Sequence, residues 1–84
     1  MIIRPVVTLF TKPQCSLCEP VKFIIKKVQQ NSQIDFRYEE VDIERNPAWF
    51  AKYQWDIPVV HVNNVEIARH RLDEKTFRAS LSNG

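Results

Sequence analysis

The chain has 84 residues with a formal net charge of +2, and 44% of them are hydrophobic against 26% charged. This length predicts one domain over residues 1–84 that forms its core without a metal or a disulfide framework. The small net charge argues against nucleic acid as a partner, and no apolar run is long enough for a signal peptide or a membrane span. We therefore expect a monomeric, cytoplasmic protein with no nucleic-acid or membrane partner; a mitochondrial protein whose transit peptide has been removed would look the same.

The first predicted element is a strand over Val6–Thr11, where β-branched and aromatic residues favour extended backbone and Pro13 ends the run. A helix follows, because apolar residues recur at helical spacing: Leu17, Val21, Ile24, Ile25 and Val28. The two cysteines, Cys15 and Cys18, fall on the turn between this strand and this helix.

That position predicts redox chemistry for the Cys-x-x-Cys pair. The first amides of a helix lack partners and favour an anion, and the thiolate is the form of cysteine that attacks a disulfide. Of the two cysteines, Cys15 is placed to have its thiolate form stabilised most. The positive charge of the nearby Lys12 adds to this stabilisation, and the negative charge of Glu19 opposes it. We expect Cys18, one turn further in, to be more covered and to resolve a mixed disulfide on Cys15. Pro20 predicts an irregular first helical turn.

The second predicted strand contains apolar residues that alternate with polar ones: Ile34, Phe36 and Tyr38. Val41 and Ile43 continue in the opposite phase, which predicts a bulge near Glu40. Strand, helix and strand together form a βαβ unit, in which the two strands are expected to be parallel.

Three further elements complete the order β-α-β-α-β-β-α. Asn46-Pro47 opens a short helix that runs to Tyr53, since Asn is a favoured cap and Pro suits the first helical position. Trp49 and Phe50, with Tyr53, are expected to anchor it. Asn63-Asn64 separates two short apolar runs and predicts a β-hairpin, and Asp73-Glu74 opens a last helix.

The segment Lys12-Pro13-Gln14-Cys15-Ser16-Leu17-Cys18, together with Ile57-Pro58-Val59, resembles the glutaredoxin branch of the thioredoxin fold. More narrowly, the chain is similar to small glutaredoxin-like proteins of uncertain activity that carry a Tyr-x-x-x-Ile-Pro-Val segment, here Tyr53–Val59. The resemblance implies an α/β thioredoxin/glutaredoxin fold, in which a four-stranded mixed sheet is flanked by three helices.

The resemblance also implies a substrate-binding surface, which we expect to include Lys12 of the cysteine-containing segment. Pro58 is expected to be cis and to lie against the cysteines, with Ile57 and Val59 offering backbone groups to an extended thiol peptide. The tryptophan just before this segment, Trp55, is expected to anchor the edge of the core, and a position over the site is the alternative.

The loop before the last helix is expected to face the cysteines as well. Its Arg69 and Arg71, beside Asp73, suit the carboxylates of glutathione or an acidic patch on a partner protein. Ordinary glutaredoxins have Cys-Pro-Tyr-Cys and a Gly-Gly pair before an Asp, whereas this chain has Ser16-Leu17 and no glycine before Gly84.

These observations predict a thiol–disulfide oxidoreductase with no bound cofactor and no metal. We expect it to reduce protein disulfides or mixed disulfides with glutathione. Glutathione, as co-substrate, or a thioredoxin-type reductase would restore the dithiol. Two alternatives stay open: a soft-metal (copper) carrier that binds through the cysteines, and a catalytically silent thioredoxin-fold adaptor. A zinc site is less well supported, because only His61 and His70 remain as further ligands of that kind, and we expect structural roles for both.

Overall fold

A four-stranded sheet lies at the centre of the structure, which is a computed structural model that describes residues 4–31 and 34–82. Its strands are β1 (Val6–Thr11), β2 (Arg37–Asp42), β3 (Val59–Val62) and β4 (Val65–Arg69), in the spatial order β2-β1-β3-β4. The β1 and β2 strands are parallel, whereas the β1–β3 and β3–β4 pairs are antiparallel. The helices of the described residues are α1 (Cys18–Asn31), α2 (Pro47–Tyr53) and α3 (Glu74–Ser82), with a short 3₁₀ turn at Ile43–Arg45. The predicted element order and mixed sheet are confirmed.

The two faces of the sheet belong to different hydrophobic clusters, because successive strand residues point to opposite sides. The first cluster joins β1 and β3 to α1 and α3: Val7, Leu9, Val21, Ile25, Val28, Phe36, Val60, Val62, Leu72, Phe77 and Leu81. The second joins the other face to the cysteines and α2: Phe10, Cys15, Cys18, Ile43, Tyr53, Ile57 and Val59. The predicted reactive pair is therefore built into the smaller cluster.

The β3–β4 hairpin turns at Asn63 and Asn64, as the sequence predicts. Both residues have positive φ, 52° and 68°, which asparagine tolerates better than most residues. The turn is also attached to the start of β1, since the Val6 amide donates to Asn63 Oδ1 at 2.9 Å and the Asn63 amide donates to the Val6 carbonyl at 2.8 Å. The hairpin is thereby held in register with the central strand.

Two details of the sequence analysis are wrong. The predicted helical spacing includes Leu17, but α1 begins at Cys18, so Leu17 precedes the helix and 66% of its surface is exposed. The bulge near Glu40 is absent, because β1 and β2 pair without interruption along their length. The change of apolar phase has another cause: Tyr38 packs against the first cluster and Val41 against the second, so both faces of β2 are covered.

Pro20 is the third residue of α1. In the first turn of a helix the missing N–H of proline costs no helical hydrogen bond. The irregular backbone precedes the helix instead, where the amides of Cys18 and Glu19 donate to the carbonyls of Cys15 and Ser16.

No helix among the described residues is both long enough and apolar enough to cross a bilayer.

Candidate functional site

Cys15 and Cys18 form a disulfide in the turn between β1 and α1, with their Cα atoms 5.3 Å apart. Cys18 is fully buried, whereas Cys15 keeps 9% of its surface exposed. The order of burial agrees with the expectation that Cys18 is the more covered of the two. The pair is thus disulfide-bonded, and Cys15 is the more exposed of the two residues.

A cavity of about 310 Å³ opens beside Cys15. One side is formed by Lys12 and residues 14–17, and the other by residues that follow α2, namely Gln54, Trp55 and Ile57. Lys12 and Ile57, both predicted to bind substrate, therefore share a cavity with Cys15. Trp55 lines it with 83% of its surface exposed, so the expectation that it anchors the edge of the core is wrong, and it lies over the cavity as in the alternative.

The Ile57–Pro58 peptide is cis, as the resemblance implies. Pro58 is buried, and its neighbours Ile57 and Val59 belong to the same cluster as both cysteines. The Pro58 carbonyl is not free to pair with a substrate, because it accepts a hydrogen bond from the His70 amide at 2.7 Å. The backbone of Ile57 forms no such bond within the described ranges, so Ile57 is the better candidate for pairing with an extended peptide.

The loop before α3 lies at the same end of the sheet but opens on a different cavity. Arg69, Arg71 and Asp73 line this second cavity, of about 500 Å³, together with Leu72 and Thr76. None of its lining residues is shared with the cavity beside Cys15.

Two of these three residues, Arg69 at the end of β4 and Asp73 in the loop, are engaged in internal contacts. Arg69 donates two hydrogen bonds to Glu66, both at 2.8 Å, and lies 3.4 Å from Asp56. Asp73 accepts from the amide of Thr76 at 3.0 Å and from its hydroxyl at 2.8 Å, which caps α3 and lowers the pKa of Asp73. Arg71 is exposed and forms no ion pair across residues 4–31 and 34–82. Binding of a substrate by these three side chains stays a prediction.

The sequence analysis missed a hydrogen-bonded chain of side chains behind the disulfide. The Tyr53 hydroxyl donates to Glu66 Oε1 at 3.1 Å and lies 3.0 Å from His61 Nε2. Because the only hydroxyl proton of Tyr53 is used by Glu66, His61 must donate through Nε2–H. The chain therefore runs from His61 through Tyr53 to Glu66, which also accepts from Arg69.

The electrostatics of this chain follow from its partners. Hydrogen bonds from Arg69 lower the pKa of Glu66 to about 2. Burial raises the pKa of the Tyr53 hydroxyl and lowers the pKa of His61, which in both cases favours the uncharged form. The Phe10 ring connects the chain to the cysteine cluster, since its centroid lies 4.6 Å from that of His61 and 5.2 Å from that of Tyr53.

A metal centre has no support from the side chains that the structure describes. Nowhere in the described ranges do three or more His, Cys, Asp or Glu residues come together in a group that could hold a metal ion. His61 is bound to Tyr53, and His70 lies 3.6 Å from Asp56.

The chain is similar to known proteins in sequence and in fold. Residues 6–82 match the model of the family described as Glutaredoxin-like domain (DUF836). A Dictyostelium discoideum protein named "Glutaredoxin-like protein YDR286C homolog" is 39% identical over 72 residues, which cover 81% of this chain and 67% of that protein.

Solved structures share the fold at low sequence identity. Protein Ne2328 from Nitrosomonas europaea superposes with a TM-score of 0.77 at 22% identity, covering 96% of this chain and 95% of that one. Thioredoxin-2 of a malaria parasite superposes with a TM-score of 0.73 at 19% identity, covering 100% of this chain and 86% of that one. These two establish the thioredoxin-like fold, and the sequence matches establish the family: the chain belongs to the Glutaredoxin-like domain (DUF836) family.

Proposed function

We propose that this protein is a thiol–disulfide oxidoreductase in which Cys15 is the nucleophile and Cys18 the resolving cysteine. The observation that carries the proposal is the arrangement of the two sulfurs: Cys15 reaches an open cavity, and Cys18 lies bonded to it in the interior. Reduction of a disulfide by a dithiol requires a second thiol that can attack the mixed disulfide and form an internal disulfide.

The reaction begins with both cysteines reduced. The Cys15 thiolate attacks one sulfur of the substrate disulfide, which forms a mixed disulfide and releases the other substrate sulfur as a thiolate. Cys18, as a thiolate, then attacks Cys15, forms the Cys15–Cys18 disulfide and releases the second substrate thiol. Two electrons pass from the dithiol to the substrate. Lys12, which shares the cavity, supports the thiolate form of Cys15 by its charge.

The oxidised pair must then be reduced by an external donor. Glutathione and a thioredoxin-type reductase are the two donor classes we propose, and neither needs a bound cofactor on this chain. The substrate in either case is a protein disulfide or a mixed disulfide with glutathione.

A single-turnover experiment tests the proposal without choosing the donor. The protein is reduced, freed of reductant and mixed with a peptide disulfide, and the products are followed by intact mass. We expect the wild type to reduce one equivalent of disulfide and to end as the Cys15–Cys18 disulfide. We expect Cys18→Ser to stop at a mixed disulfide on Cys15, and Cys15→Ser to form no productive intermediate.

The same preparations distinguish the alternatives. Tight Cu(I) binding without any reaction would support a metal carrier, and absence of both would support a silent adaptor. Either result would overturn the oxidoreductase proposal. Adding glutathione with glutathione reductase, or a thioredoxin-type reductase with NADPH, then identifies the donor that sustains repeated turnover.

A further inference from the structure

The cavity beside Cys15 is lined by few charged residues for a site that would bind glutathione, which is a charged tripeptide. Among the described residues that line it, Lys12 is the only charged one. The remaining lining residues are uncharged polar side chains or apolar ones. A ligand that covers this cavity therefore meets one cation and no carboxylate.

Two of the apolar lining residues are large and almost uncovered. Leu17 is 66% exposed in the turn before α1, and Trp55 is 83% exposed after α2. They come from separate segments of the chain, yet both border the cavity that contains Cys15. Exposed aromatic and aliphatic side chains around a pocket are typical of sites that bury an apolar anchor from a partner.

The two arginines predicted to recognise glutathione lie outside the cavity beside Cys15. Glutathione carries two carboxylates, and paired guanidinium groups would be the natural partners for them. Arg69 is already bound to Glu66 and Asp56, and Arg71 opens on the second cavity with Asp73. Of the cations predicted to bind substrate, only Lys12 shares a cavity with Cys15.

We infer that the disulfide substrate is a protein segment in which a bulky apolar residue flanks the reactive cysteine, and that oxidised glutathione is a poor substrate. The apolar residue packs between Leu17 and Trp55 while the cysteine meets Cys15. The backbone of the segment pairs with the unpaired backbone of Ile57, as an added strand would. Lys12 then favours an acidic or neutral residue in the same segment over a basic one.

This inference rests on the proposed function, and it specifies the substrate for the same two sulfurs. Cys15 attacks the sulfur of the segment, and the other sulfur of the substrate disulfide leaves as a thiolate. Cys18 then attacks Cys15, forms the internal disulfide and releases the segment's sulfur as a thiolate. The electrons come from the reduced pair itself, so one turnover requires no further reactant.

Three disulfide probes test the inference with the reduced protein in single turnover. The first is a peptide with Leu beside its disulfide-bonded cysteine, the second has Ser in place of that Leu, and the third is oxidised glutathione. We expect the Leu peptide to react about tenfold or more faster than either of the others, which is the scale of one apolar side chain in a fitting pocket.

Variants assign the preference to the two side chains. We expect the Leu-to-Ser rate ratio to fall towards one in Trp55→Ala and in Leu17→Ala. Phe23→Ala is the matched control, since Phe23 is 62% exposed on α1 and does not line this cavity, and it should keep the wild-type ratio.

The outcomes separate the two claims. Equal rates with all three probes, or glutathione as the fastest, would overturn the inference while the oxidoreductase function stands. A preference for the Leu peptide that survives both alanine variants would overturn the placement of the apolar residue. No reaction with any probe would overturn both the function and the inference.

Discussion

At the scale of single residues, the chain from His61 through Tyr53 to Glu66 shows how polar groups are placed behind the redox pair. His61 and Tyr53 are buried, so each must find a hydrogen-bond partner inside the protein. The geometry provides both partners at once, because the Tyr53 hydroxyl accepts from His61 and donates to Glu66. No side-chain nitrogen or oxygen that is buried within the described ranges lacks a partner.

Removing the Tyr53 hydroxyl should therefore be costly. Tyr53→Phe keeps the ring but leaves the His61 Nε2–H buried without an acceptor, and we expect the free energy of unfolding to fall by about 1–3 kcal/mol. Urea unfolding measures it. Tyr38→Phe is the control, because the Tyr38 hydroxyl meets Glu40 at the surface, 2.6 Å away, and its loss should matter less. Equal losses in the two variants would contradict the buried-chain account.

The hydrogen bonds that join His61, Tyr53 and Glu66 also predict that the stability of the fold depends on pH. The pKa of Glu66 is about 2 in the folded protein against an ordinary 4.5, chiefly because Arg69 donates hydrogen bonds to it. A depressed carboxyl pKa stabilises the fold above pH 4.5, and this contribution is lost as the pH falls towards 2. We expect Glu66→Gln to be less stable than the wild type at neutral pH and the difference to shrink across that window.

Urea unfolding at several pH values tests this expectation. Glu44→Gln is the control, since Glu44 is exposed and takes no part in the hydrogen bonds that join His61, Tyr53 and Glu66. His61 and Tyr53 face the same carboxylate, so the comparison must be made between wild type and variant at each pH and not from one curve alone. A difference for Glu66→Gln that stays constant from neutral pH to acid would contradict the assignment.

At the scale of secondary-structure elements, the sequence predicts best where local chemistry decides. Val6–Thr11 is the predicted β1 to the residue, and the Asn46-Pro47 pair marks the start of α2. The start of α1 could not be predicted in the same way, because the helical spacing of apolar residues begins at Leu17, one residue before the first residue of the helix. Cys15 and Leu17 are instead placed by the disulfide and the turn.

The site was predictable only in part, for a related reason. Cys15, Lys12 and Ile57 lie together as expected, because the strand-to-helix turn and the proline segment meet at one end of the sheet. The partners of Arg69 were not predictable, since its contact with Asp56 depends on how α2 and β4 pack in three dimensions. His61 shows the same limit: its alternation with valines did not reveal Tyr53 as its partner.

The hairpin turn offers a matched test at this scale. Asn63 and Asn64 share the left-handed backbone, but Asn63 Oδ1 also accepts from the Val6 amide. We expect Asn63→Gly to lose about 1 kcal/mol of unfolding free energy and Asn64→Gly to be neutral or slightly stabilising. Thermal and urea unfolding of the pair measure this. The reverse order of stability would contradict the proposed role of the Asn63 side chain.

At the scale of the whole molecule, the cysteine pair and the main core are separate. The first cluster, between the sheet and α1 with α3, contains neither cysteine. The disulfide closes a loop of only four residues, Cys15 to Cys18, for which loop-closure entropy corresponds to about 2 kcal/mol. The fold is therefore expected to survive both redox states, as a catalyst that cycles between them requires.

Comparing the oxidised and reduced protein tests this separation. We expect the far-ultraviolet circular dichroism to be the same in both states and the free energy of unfolding to fall by no more than about 2 kcal/mol on reduction. Cys15→Ser/Cys18→Ser, measured with and without reductant, controls for effects of the reductant itself. Loss of secondary structure on reduction would mean that the disulfide is structural.

The central claim is that Cys15 is the accessible, attacking sulfur and Cys18 the covered one. Brief alkylation of the reduced protein at neutral pH, followed by peptide mass spectrometry, tests it directly. The account predicts that the label appears on Cys15 well before Cys18, and that Lys12→Gln slows the labelling of Cys15. Faster labelling of Cys18, or equal labelling of both cysteines, would contradict it.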